Sequence, residues 1–147
     1  MRDTAGRLLL ADTFRATDWG SGYEWFQEHH FKVVGQGYGI YDKIEATGDL
    51  GGSGADDFVA RDRAGVLWLY KGRGGHSFSA RIRIGGGWGG YGRPVGIGDA
   101  DRDGRPDLYT QGFLYRGTGD YRSPLRPREE TSPYHFWPTA VTYDHFA

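Results

Sequence analysis

Cysteine is absent from the 147 residues, so no disulfide framework holds this chain together. An excess of either charge is missing as well: 18 lysines and arginines against 19 aspartates and glutamates leave a formal net charge of −1. No general field therefore steers the chain to nucleic acid or to an anionic membrane surface. Long apolar runs are lacking. Leu8-Leu9-Leu10 is far too short for the hydrophobic region of a signal peptide, and no stretch is long enough to insert across a bilayer. No window of useful length has helical spacing of its apolar residues. Catalytic patterns are thin. Gly85-x-Gly87-x-x-Gly90 has dinucleotide-loop spacing but no βαβ unit around it. Gly51-Gly52-Ser53-Gly54-Ala55 only faintly resembles a nucleophile elbow. His29, His30, His76, His135 and His145 show no metal-ligand spacing. No nucleophile–base constellation is visible, so the reading is of a non-enzymatic chain.

What the sequence has in quantity is glycine, 26 residues, and aromatic side chains, 16%. That mixture suits tight turns around a thin β core. Its most informative stretch is Asp99-Ala100-Asp101-Arg102-Asp103-Gly104-Arg105-Pro106-Asp107, with carboxylates at positions 1, 3, 5 and 9. Like charges this close repel unless they surround a hard cation that takes six to eight oxygen ligands, as calcium does. Gly104 supplies the sharp bend, and the Arg105 carbonyl is the expected backbone ligand. The loop is not an EF-hand: position 12 is Thr110 rather than Glu, and both flanks read as short strands. The alternative is an ordinary acidic turn, with Arg102 and Arg105 neutralising it.

The loop lies in a repeat. Asp49, Ser53, Gly54 and Asp57 fall on Asp99, Asp103, Gly104 and Asp107. Val34-Gly35-x-Gly37-Tyr38-Gly39-x-Tyr41 falls on Ile84-Gly85-x-Gly87-Trp88-Gly89-x-Tyr91, and Tyr70-Lys71-Gly72 on Tyr115-Arg116-Gly117. A partial copy opens the chain, where Arg2-Asp3-x-Ala5-Gly6 matches Arg61-Asp62-x-Ala64-Gly65. The middle unit predicts strands over 44–48, 58–62, 66–71 and 78–84, the last from the alternation of Phe78, Ala80, Ile82 and Ile84 with polar residues. Four antiparallel strands in about 50 residues is the pattern of a β-propeller blade. The expected fold is all-β, a partial β-propeller of about two to three four-stranded antiparallel blades. The divisions fall at 1–43, a partial blade; 44–93, a blade with a degenerate acidic loop; and 94–147, a blade with an intact loop and an irregular tail.

With Gly98-Asp99-x-Asp101-x-Asp103-Gly104-x-x-Asp107-Leu108, Arg61-Asp62-x-Ala64-Gly65-x-Leu67-Trp68-Leu69-Tyr70-x-Gly72 and Ile84-Gly85-x-x-Trp88-x-x-Tyr91, the chain resembles the FG-GAP/VCBS repeats. These are the blades of integrin α-subunits and of many bacterial secreted proteins, and the last two blocks look especially like actinobacterial ones. The resemblance covers residues 1 to about 120. It implies Ca2+ bound by Asp99, Asp101, Asp103, the Arg105 backbone and Asp107, and an extracellular setting. It also implies binding to a protein or glycan partner of unknown identity, or a scaffolding role. A lectin-type propeller and the accessory propeller of a secreted hydrolase are the alternatives. The middle loop has Gly51 and Ser53 at positions 3 and 5, so weak calcium binding or none is expected there.

Two blades and a half cannot close a ring of usual size. Either copies self-assemble or the chain is the remainder of a longer propeller, and Met1 within a blade favours the second. Segment 12–31, with Trp19, Tyr23, Trp25 and Phe26, reads as an aromatic insert covering a blade face, or as a binding loop. The tail from Tyr121 holds four of the six prolines and reads as edge strand or extended loop. Tyr38, Tyr41, Trp68, Trp88 and Tyr91 recur at matching positions, which points to packing between blades before sugar stacking.

Overall fold

The computed structural model describes residues 2–11 and 31–131; the aromatic insert, apart from Phe31, and the end of the proline-rich tail lie outside them. The described residues form ten strands in three antiparallel sheets. Strands β1 (Leu8–Ala11) and β2 (Phe31–Gly35) pair alone. Strands β3 (Tyr41–Gly48), β4 (Asp57–Asp62), β5 (Leu67–Tyr70) and β6 (Ile82–Gly85) lie in chain order across a second sheet. Strands β7 (Val95–Gly98), β8 (Asp107–Thr110), β9 (Phe113–Tyr115) and β10 (Glu129–Glu130) do the same in the third. Each four-stranded sheet is a meander, and β3 packs beside β7, so the sheets follow one another as propeller-like blades do.

Strand β4 shows why the sheets stack. Val59 and Ala60 are both fully buried although they point to opposite faces, which requires cover on both sides. On one face Val59, Leu67 and Leu69 join Leu50 of the middle loop, Trp88 of the turn that precedes the third sheet, and Leu108 of β8. On the other, Phe58 and Ala60 join Leu8 and Tyr41. Phe58 stacks on Tyr70 with ring centroids 4.6 Å apart. Trp88, 5% exposed, packs 4.6 Å from Tyr115, so this recurrent aromatic belongs to the core between blades.

Two predicted strand boundaries in the middle sheet shift by more than one residue. The first strand of the middle sheet begins at Tyr41 rather than 44, because a single 3-10 turn at Tyr38–Ile40 delivers Tyr41 already extended and opposite Asp62. The outer strand begins at Ile82 rather than 78. Phe78 makes one isolated bridge to Gly72, and the Lys71 amide then donates to the Ser79 hydroxyl, which interrupts the ladder.

Both 3-10 turns are gripped in the same way, one blade apart. Gly6 at φ 75° and Gly65 at φ 81° accept from the amides of Tyr38 and Trp88, each at 2.9 Å. A Cβ at Gly65 would meet the Gly89 amide nitrogen at 2.7 Å, and one at Gly6 would meet that of Gly39 at 2.9 Å. An arginine opens each corner. Arg2 Nη1 lies within 3.4 Å of the carbonyls of Tyr38, Gly39 and Tyr41. Arg61 Nη1 lies within 3.1 Å of those of Trp88, Tyr91 and Gly92. Strands β1 and β2 thus pair and meet their 3-10 turn as β5 and β6 do one sheet further on.

Candidate metal centre

The acidic loop joins β7 to β8, and its two ends are fixed by different means. Gly98, at φ 72°, turns the chain out of β7. Asp99 then folds the loop back on itself: Oδ1 accepts from the Asp103 amide at 2.9 Å and Oδ2 from the Gly104 amide at 2.7 Å. Gly104 holds φ 86°, the left-handed bend that glycine adopts without strain. At the far end Asp107 is fully buried. Its Oδ2 accepts from the Ala100 amide and its Oδ1 from the Gly117 amide, both at 2.9 Å. This carboxylate therefore ties the loop to the end of β9. Burial pushes its pKa up, the two amides hold it back, and the nearby Asp101 and Asp103 push it further.

Of the sequence-identified ligands, Asp99, Asp101 and Asp107 converge, with one carboxylate oxygen from each within 4.8 Å of the others. Three hard oxygen donors at that separation can share one divalent cation of the calcium or magnesium type. Asp103 stands outside the cluster: its Oδ1 accepts from the Arg105 amide at 2.9 Å, and its Oδ2 lies 3.8 Å from Arg105 Nη1. Arg105 thus turns its amide and guanidinium towards Asp103. The close cation is one that the loop sequence does not contain. Arg116, at the end of β9, donates from Nη1 to Asp101 Oδ2 at 3.0 Å. Its signal in the sequence is the repeat itself, because Arg116 falls on Lys71.

The middle loop keeps the frame without the charges. Asp49 accepts from the amides of Ser53 and Gly54 at 2.6 and 2.8 Å, as Asp99 does from its counterparts. Asp57, 2% exposed, accepts from Gly51 at 2.6 Å and from Gly72 at 2.7 Å. The Ser53 hydroxyl lies 3.5 Å from Asp49 Oδ1 and 3.4 Å from Asp57 Oδ1, between the two carboxylates. A neutral donor there softens their repulsion. Burial is nevertheless the main influence on Asp57 and raises its pKa, with Asp49 adding to the rise. Two carboxylates and a hydroxyl make a poorer donor set for a divalent cation than three carboxylates.

A family model described as an FG-GAP-like repeat matches residues 49–110. The matched segment runs from the first residue of the middle loop to the end of β8 and so includes both acidic loops. No curated protein matches the chain, and no solved structure does.

Proposed function

Because residues 49–110 carry an FG-GAP-like repeat, we propose that this chain is a calcium-stabilised, non-enzymatic propeller module that acts outside the cell. There it binds a protein or glycan, or holds other domains in place. The observation that carries the calcium reading is the convergence of Asp99, Asp101 and Asp107, one of them fully buried, on a single point. An ion bound there would supply the positive charge that Asp107 otherwise lacks at the base of the loop, joining β7, β8 and β9. The role is structural, and the site lies in a loop that the fold already shapes. The affinity expected on this reading is in the range of about 10⁻⁴ to 10⁻³ M typical of extracellular modules. Trp88 is buried, so glycan contacts would fall to other residues.

The test is a calorimetric titration of calcium into chelator-treated protein, beside Asp101→Ala. One site is expected in the wild type, with affinity reduced at least tenfold in the variant because one of three carboxylates is gone. A folded wild-type protein that takes up no calcium would sink the reading. Asp101→Ala binding as tightly as wild type would place the ion elsewhere.

A further inference from the structure

Resting on the calcium reading above, we infer that Arg116 is a built-in competitor for the metal: its guanidinium neutralises Asp101 when calcium is absent and passes to Glu129 when calcium binds. Arg116 is held between the two carboxylates. Nη1 donates to Asp101 Oδ2 at 3.0 Å, while Nη2 donates to Glu129 Oε2 at 3.1 Å. Nε lies 3.0 Å from Glu129 Oε1 but is out of line for a hydrogen bond. The guanidinium therefore has an incomplete grip on Glu129 that a small rotation would complete as a bidentate pair. Room for that rotation exists in a cavity of about 280 Å³ lined by Asp101, Leu114, Arg116, Glu129 and Glu130.

The middle blade shows the arrangement without a metal ligand. Gly51 stands where Asp101 does, and a Cβ added there would lie 3.1 Å from the stem of Lys71, the counterpart of Arg116. With no carboxylate to meet, the Lys71 ammonium sits 3.8 Å from the centre of the Tyr121 ring. The basic residue at the end of the third strand thus faces loop position 3 in both blades, and it contacts the loop through an ion pair where that position is Asp. A divalent cation and a guanidinium cannot both sit close to Asp101 without mutual repulsion. Glu129 belongs to β10, whose pairing with β9 is Glu129 opposite Leu114 and Glu130 opposite Phe113. Calcium in the loop would thereby tighten the outer edge of the blade through Arg116.

Calcium is titrated by calorimetry into chelator-treated full chain as wild type, Arg116→Gln and Glu129→Gln, each checked for folding by circular dichroism. Arg116→Gln is expected to bind calcium about tenfold more tightly, since a competing positive charge has gone. Glu129→Gln is expected to bind several-fold more weakly, because Arg116 then has Asp101 alone. In wild type the Arg116 Nε–H resonance should move with the same midpoint as calcium uptake. Unchanged affinity in Arg116→Gln, or a resonance that stays still, would overturn the inference and leave the calcium reading standing. No calcium uptake by any of the three would overturn both. If Arg116→Gln does not fold, Glu129→Gln and the resonance decide the matter.

Discussion

Asp57 and Asp107 are carboxylates hidden from water whose oxygens are both engaged by backbone amides. They act as struts between an acidic loop and the third strand of each blade before they act as ligands. Asp57→Ala would leave the Gly51 and Gly72 amides without their partner. It should lower stability by about 2–3 kcal/mol in urea denaturation, with or without calcium. A loss under about 0.5 kcal/mol would mean that water replaces the carboxylate. The pH dependence follows from the direction of the pKa shifts. Asp57 is raised above 3.8 chiefly by burial, so its contribution is complete below 3.8 and is lost as pH rises through its folded pKa. Asp42 is lowered below 3.8 chiefly by its hydrogen bond from Arg61, so its contribution is present above 3.8 and is lost only on further acidification. In chelator, thermal melts across pH should therefore show higher stability just above 3.8 than at neutrality. Stability that climbs steadily to neutral pH would contradict this.

At the scale of elements, the sequence revealed strands wherever period and repeat agreed. Val59 and Leu69 lie in the second and third predicted strands of the middle unit and are paired and buried. It misplaced the outer strand because the Ser79 hydroxyl takes a ladder amide, a side-chain event that hydrophobic period cannot register. It singled out Asp99, Asp101, Asp103, the Arg105 carbonyl and Asp107 as one set, of which the structure brings carboxylate oxygens of Asp99, Asp101 and Asp107 within 4.8 Å of one another and leaves Asp103 apart. It missed Arg116, fifteen residues beyond Asp101, because only the sheet brings the end of β9 to the loop. The packing of β3 on β7 was equally hidden. It depends on Gly96, where an added Cβ would lie 2.3 Å from the Ala46 carbonyl oxygen. Gly96→Ala must push the two inner strands apart and should cost about 2–3 kcal/mol, read as a lower urea midpoint at unchanged slope. A near-neutral effect would show that the inner strands separate freely.

The described residues form a series of sheets in which each covers the next. Stability in such arrays is approximately the sum of the repeats and their nearest-neighbour interfaces. Calcium should therefore not stabilise the chain evenly. The candidate centre joins β7, β8 and β9, whereas the middle sheet meets the third through β3 on β7 and through Leu50, Trp88 and Leu108. Hydrogen exchange in calcium and in chelator separates two possibilities. If the interface is weaker than either sheet, calcium should slow exchange in β7–β9 strongly and in β4 and β5 little. If the shared core couples the sheets fully, both should slow together, and the two blades would unfold as one unit. The core favours partial coupling. Leu108 of β8 shares one core with Val59 and Leu69, but on the opposite face of β4 Phe58 and Ala60 belong to a separate core with Leu8 and Tyr41. The expected result is thus a gradient of protection, steepest in β8 and fading through β4. Equal protection at every strand would contradict the additive picture, and none anywhere would mean that the loop is already rigid without its ion.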